Sequence, residues 1–252
     1  MNALHTFLAT YLLALLRFLP IVLLVPLSPL RWAPGLVRVA LLMVLGWLGT
    51  SLTTAPLVLQ GGAAWMSAIC GELLIGTAFG LAIMLPNAAL HTAGWVLDVQ
   101  AGSSAGVLFD PGSQNDMQAV FGTALMLAAT ALFFLLDLHL QLYRMLGTSM
   151  QLVPLGRGGV HLEWEGLAGM LGQSFLLGFS VVLPVIMGLL LVDVGVAYAT
   201  RSMPQANVYF LALPLKLLAA VGLLMATLPF VPTLFARLFN DAYSRVPALL
   251  GG

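Results

Sequence analysis

Six apolar stretches constrain this chain more than any other feature, at about residues 7–30, 36–59, 63–90, 118–143, 167–192 and 206–235. Each exceeds the ~20 residues that a helix needs to cross a bilayer. Hydrocarbon admits only backbones that satisfy their own hydrogen bonds, which leaves helices or closed barrels. A barrel needs alternating strands of about ten residues, and these unbroken runs do not alternate. Composition points the same way. Only 7% of the 252 residues are charged, against roughly 25% in a soluble domain, too few to cover a water-facing surface. The fold expected is an all-α integral membrane protein, a single membrane domain over residues 1–252, with helices bent by proline and glycine.

Nine basic and nine acidic residues give zero net charge, so nothing invites nucleic acid. Cys70 is the single cysteine. No intrachain disulfide can form, and its apolar setting reads as a small core residue. The N-terminus lacks a positive n-region and a small-residue cleavage site, so Phe7–Leu30 reads as a retained segment.

Between the apolar stretches the chain is punctuated by glycine and proline. Ser28–Gly35 holds two prolines, a tryptophan and an arginine, composition suited to a helix corner at a membrane interface. Gly71, Gly76 and Gly80 in the third stretch would let another backbone approach closely. The central interval Leu97–Phe121 is the longest without a sustained apolar run. It holds Asp98, Asp110 and Asp116, no basic residue, and enough glycine and proline to forbid a long regular helix. A second polar connection covers 147–166 and a third covers Arg201–Gln205. At the C-terminal end Arg237, Asp241 and Arg245 form an i, i+4, i+8 stripe, the pattern of a solvated helix face.

Arginines do not decide an orientation. Six alternating spans would put Arg31, Arg38 and Arg201 on one side and Arg144, Arg157, Arg237 and Arg245 on the other. Either the orientation is weakly encoded or the segments do not thread the membrane as six simple spans, and the many prolines and glycines favour the second.

Two chemical signals need weighing. Gly102-Ser-Ser-Ala-Gly106 matches G-x-S-x-G with Ser104 in the nucleophile position, and His91 or His139 would be the candidate base. That motif works through a strained strand-to-helix turn, and no strand is expected here. Small residues packing a turn explain the same letters. The four histidines are scattered, and no H-E-x-x-H or Cys/His metal spacing occurs. The second signal is charge within apolar runs: Arg17, Glu72, Asp193 and Lys216. A lipid-facing charge costs about 2.5–3.5 kcal/mol on insertion scales, so these side chains should face protein or water. They could line an ion or substrate path. Pairing between helices or subunits is the preferred reading, because Glu72 and Asp193 each stand alone in their segments.

Four blocks, taken in order, resemble the FliR/SctT family of type III export-gate proteins, flagellar and virulence-associated respectively. They are LLRFLPIVLLVPLS with the following P-x-x-x-R-V-A-L (15–41), GELLIGTAFG (71–80), AGWVLDVQAGSSAGVLFDPGS (93–113) and RSMPQANVYFLALPLK (201–216). The Leu152-Val-Pro-Leu-Gly156 block looks flagellar. The resemblance implies a pore component and no enzyme activity or cofactor. It implies bent helical hairpins that assemble into a helical export-gate channel in the bacterial inner membrane, at the flagellar basal body. Its partners would be FliP-type and FliQ-type subunits in a hetero-oligomer, the large export-gate subunit of the FlhB/FlhA type, unfolded export substrates in transit, and lipid. By position the resemblance makes Leu108–Phe121 a plug for the pore, with Leu108, Phe109, Asp110, Pro111, Met117 and Phe121 as its residues. Its centre, Gln114-Asn115-Asp116, is polar. Arg17, Glu72, Asp98, Asp193, Arg201, Gln205 and Lys216 are the candidate polar contacts between helices or subunits.

Two other classes stay open. A secondary transporter with broken helices fits a loose echo, Phe79-Gly80, Leu85-Pro86, Asp98 against Gly178-Phe179, Leu183-Pro184, Asp193. Intramembrane serine hydrolysis would rest on Ser104 alone.

Overall fold

A computed structural model describes residues 2–23, 33–53, 61–102, 120–156, 163–202 and 208–249. All regular elements among them are helical. In chain order they are α1 (Asn2–Leu23), α2 (Gly35–Leu52), α3 (Gly62–Ala101), α4 (Val120–Leu135), α5 (Leu138–Leu152), α6 (Trp164–Ser202), α7 (Val208–Thr227), a 3-10 turn (Leu228–Phe230), α8 (Val231–Ser244) and the short α9 (Val246–Leu249). Five stretches among the described residues are long and apolar enough to cross a membrane, or six if the bent pair α4–α5 counts as one more.

The observed elements depart from the apolar runs in four informative places. First, α3 and α6 have 40 and 39 residues. At 1.5 Å per residue each is close to 60 Å long, about twice the hydrocarbon thickness. Each is longer than a single crossing requires.

Second, α3 continues past residue 97 to Ala101. Its buried stripe Ala93, Leu97, Ala101 keeps helical spacing to that point. Gly102, at φ 78°, then ends the helix in a conformation that glycine adopts freely.

Third, the run 118–143 is not one helix. It bends by 63° between α4 and α5, where Asp137 takes a left-handed φ of 54°. Aspartate is among the few residues that tolerate it. Fourth, the last run breaks at Leu228-Pro229-Phe230, where proline opens a 3-10 turn. Prolines elsewhere are absorbed: Pro20, Pro86, Pro184 and Pro214 lie inside helices that continue on both sides.

Cys70, expected in the core, is exposed. The inward face of α3 there carries Ala68, Glu72, Ile75 and Phe79, and Cys70 falls between them in sequence, on the outer side of the helix.

The chain divides into two compact units. One comprises Met1–Asn87, Phe133–Ser174 and Phe239–Gly252; the other comprises Ala88–Leu132 and Phe175–Leu238. The helix α3 contributes to both. In the first unit α1 and α2 pack closely, with Gly46 against Leu15 and Tyr11 and Gly49 against Ala14 and Phe18. Phe7 meets Trp47 edge-on, ring centroids 5.5 Å apart. Gly76 of α3 sits on the main-chain carbonyl of Arg17, a spot where any side chain would collide with backbone. Phe133, Phe239 and Tyr243 form an aromatic cluster in this unit.

In the second unit, Ala93, Leu97 and Ala101 of α3 meet Phe121 and Leu125 of α4, Val182, Val185 and Leu189 of α6 and Ala220 of α7. Small residues again set the spacing: Gly94 lies against Gly122, and Gly178 against Ala89. Without a hydrophobic drive between helices in lipid, such close backbone approach is a main source of helix association.

These contacts predict opposite effects for two alanine substitutions. A Cβ at Gly94 would stand 2.5 Å from the Gly122 Cα, so Gly94→Ala should destabilise the chain by about 1–3 kcal/mol. Nothing lies within 4 Å of a Cβ at Gly172, so Gly172→Ala should be neutral or stabilising by up to ~1 kcal/mol. Thermal unfolding of the solubilised chain measures both.

Candidate functional site

Among the described residues two polar clusters stand out, one in each unit. In the first unit Arg17 of α1 and Glu72 of α3 are 0% and 1% exposed. They form a two-pronged ion pair: Nε donates to Oε2 at 2.5 Å and Nη2 to Oε1 at 3.1 Å. Each partner also holds backbone. Arg17 Nη2 donates to the Val153 carbonyl at 3.0 Å, and the Gly156 N–H donates to Glu72 Oε1 at 2.9 Å. Both groups belong to the turn after α5, which closes with Val153 N–H on the Ser149 carbonyl and Gly156 at φ 83°. The pair therefore fastens α1, α3 and the end of α5 at one point. Arg17 Nη1 finds no partner among the described residues.

In the second unit the cluster forms around the last turns of α3. Asp98 is 4% exposed and accepts the N–H groups of Phe121 at 3.0 Å and Gly122 at 2.9 Å. These are first-turn donors of α4 that have no partner within their own helix. Two residues on, Gln100 donates its amide to Asp193 Oδ2 at 3.1 Å. Asp193 Oδ1 pairs with Lys216 of α7. The Asp193 side chain is 37% exposed and that of Lys216 16%. On a lipid-facing surface a charge costs about 2.5–3.5 kcal/mol, so water or protein is favoured on that side of the pair.

Of the other residues singled out in the sequence, Arg201 is exposed in the last turn of α6, where a cation complements the helix dipole. Gln205 and the plug candidates Leu108, Phe109, Asp110, Pro111 and Met117 lie outside the described residues, as does Ser104. Phe121 is described, and it is buried in the core of the second unit. His91 lies on α3 and His139 on α5, in different units. No group of three or more potential metal ligands occurs among the described residues. Arg245 bonds Asp241 in two prongs, at 2.8 and 3.3 Å, which pushes its guanidinium pKa up further. This half-buried i, i+4 pair is of little energetic weight.

Residues 8–242 match the family described as bacterial export proteins, family 1. The chain belongs to that family. Among its relatives, the flagellar biosynthetic protein FliR of Escherichia coli strain K12 is 28% identical over 251 residues, 95% of this chain and 94% of that protein. FliR of Bacillus subtilis strain 168 is 25% identical over 248 residues, with the same coverages. The Yop proteins translocation protein T of Yersinia pestis is 26% identical over 216 residues, 83% of this chain and 82% of its own.

For a member of the bacterial export proteins, polar groups buried this deeply have to earn their place by pairing. The sequence marks Arg17, Glu72, Asp98, Asp193 and Lys216 as candidate polar contacts between helices or subunits, yet it does not reveal which groups they hold. Val153, Gly156 and Gln100 were missed because backbone groups and a lone amide carry no signal in a single sequence. Breaking a buried ion pair costs about 3–5 kcal/mol because one charge is stranded, whereas replacing both charges with apolar groups is far milder. Glu72→Ala should therefore destabilise more than the double variant Arg17→Met, Glu72→Leu. The double variant should still melt below wild type, because Val153 and Gly156 lose their partners. Unfolding midpoints of the purified variants decide this, and equal losses for single and double would refute the clamp.

Proposed function

We propose that this chain is a core membrane component of the bacterial flagellar type III export gate and forms part of the channel for unfolded export substrates. The observation that carries the reading is the near full-length similarity to flagellar FliR proteins, joined to the four ordered sequence blocks. A conduit for unrelated unfolded chains cannot rely on shape-specific pockets. It needs helices held at fixed points and a closure made of compliant contacts that an entering chain displaces. Long helices fastened by two polar clusters supply the first requirement. In this proposal Leu108–Phe121 contributes the second, as the plug, with apolar Leu108, Phe109 and Met117 as contacts that rearrange without stranding polar groups.

The proposed assembly is a hetero-oligomer with FliP-type and FliQ-type subunits and the large export-gate subunit, in the inner membrane at the flagellar basal body. The exposed apolar faces of α2 and α7, with Leu36, Met43, Trp47, Leu215, Leu218 and Met225 outward, would be covered there by lipid or by those subunits. The role is structural, with no catalytic step and no cofactor. The virulence counterpart is the second reading, supported by the Yersinia translocation protein T at nearly the same identity.

Gentle solubilisation of the native complex should recover two small hydrophobic partner proteins with this chain; a lone homo-oligomer would favour a transporter instead. Deleting Gly112–Met117 should make the reconstituted complex leak ions or small dyes. A wild-type leak rate in a correctly assembled deletion variant sinks the plug assignment.

A further inference from the structure

We propose that the first unit holds a site for a membrane lipid beside the bend between α4 and α5. There His139 binds an ester carbonyl of the lipid, and an apolar cavity takes the start of one acyl chain. The observations all fall in the first unit. Side chains of α1, α2, α3, α4 and α5 enclose a cavity of about 70 Å³. Its inner wall is apolar and buried, with Val22, Leu45, Ile83, Phe133, Leu142 and Leu146. Phe134 and Tyr143 are exposed and stand at its mouth.

One polar atom is set into that wall. On α5, His139, Leu142, Tyr143 and Leu146 fall at i, i+3, i+4 and i+7, so a single helix face lines the cavity. The imidazole centroid lies 5.3 Å from that of Phe134 and 6.3 Å from that of Phe133, which restricts rotation of the ring. Its Nδ1 is buried and has no hydrogen-bond partner among the described residues. Leaving a buried polar atom unbonded is costly, so such an atom points to a partner. Water is a poor one here, since a buried water needs two to four polar groups and this inner wall offers one. The cavity has about half the volume of the ~150 Å³ apolar cavity that stays dry and accepts benzene. It has room for the first methylene groups of a chain and not for a whole tail.

The surroundings identify the class of molecule. Leu135, Leu136 and Leu140, around the bend, are exposed and suit hydrocarbon. Asp137, at the bend itself, is exposed as well. A charge is costly within the acyl region and tolerable at head-group level, so the bend belongs at the boundary between the two. Tyr143 fits the same depth, where tyrosine is enriched. His139 follows Asp137 by two residues. A membrane lipid presents its ester carbonyls at this level with apolar chain directly below. Donation from His139 Nδ1–H to such a carbonyl, with the chain in the cavity, satisfies the nitrogen and fills the apolar volume together.

The test uses the full chain with the subunits that co-purify with it, in nanodiscs doped with a phosphatidylethanolamine carrying a diazirine on one acyl chain close to the ester. Illumination and peptide mass spectrometry locate the label. In the wild type it should concentrate on Leu45, Ile83 and Leu142, well above the outward-facing Leu36 and Leu135. His139→Leu should lower labelling of the cavity about two- to tenfold, the effect of one hydrogen bond, and His139→Gln, which keeps an N–H donor, should restore part of it. Ile83→Phe, which fills the cavity, should lower it further while Leu36 is labelled as before. A diazirine-bearing alkane is the second probe. Having no ester, it should label the cavity equally in the wild type and in His139→Leu. Equal labelling of cavity and outward residues overturns the site. So does lipid labelling that His139→Leu leaves unchanged, or a loss as large for the alkane as for the lipid. If Ile83→Phe does not fold, Leu142→Phe fills the same volume from α5 and carries that readout. The site is independent of any role in export and stands or falls by the labelling alone.

Discussion

The ion pair between Arg17 and Glu72 is the interaction on which the first unit depends. Two charges completely removed from solvent are expensive to bury, and the pair alone is no better than a well-packed apolar contact. Its value lies in what it holds. Through the Val153 carbonyl and the Gly156 N–H it satisfies backbone groups at the end of α5 that the helix cannot satisfy itself. An apolar substitute could fill the volume but could not bond that turn. The close seat of Gly76 on the Arg17 carbonyl is part of the same arrangement, since it brings α3 near enough to α1 for Glu72 to reach.

The second unit solves the same problem with a different partition of labour. Its apolar core of alanine, valine and leucine gives bulk cohesion, and its direction comes from three polar side chains near one end of α3 and their partners. Packing between smooth apolar surfaces tolerates sliding, whereas a carboxylate on two specific N–H groups does not. A protein that must yield to a passing chain in one place and hold firm in others gains from this concentration. Compliance can stay where apolar contacts dominate, and register is fixed where Asp98 sits.

Much of this was legible in the sequence, for physical reasons that can be named. Length and hydropathy gave helices because lipid leaves the backbone few alternatives. Charges in apolar runs had to face protein or water for the same reason. What stayed hidden was decided by tertiary contacts. The extension of α3 to Ala101 depends on α4, α6 and α7 covering Ala93, Leu97 and Ala101. The bend at Asp137 occurs fifteen residues from the one glycine of its run, Gly122, and with no proline to announce it. Cys70 looked like core because its neighbours are apolar, and it is exposed because the inward face of α3 passes through Ala68 and Glu72. Asp98 read as part of a polar loop because a carboxylate that caps a helix twenty residues further on looks, in one dimension, like any other polar residue.

The claim that matters most is that this chain borders the route of an unfolded export substrate, and a photocrosslink tests it directly. A photoreactive amino acid is placed at Met117, and another at Met43 on the exposed face of α2, in cells whose export is stalled by a substrate fused to a tightly folded domain. The chain with the probe at Met117 should crosslink to the stalled substrate, and the chain with the probe at Met43 should not. A stalled, properly assembled apparatus that gives no substrate adduct from Met117, or equal adducts from both positions, would contradict the assignment.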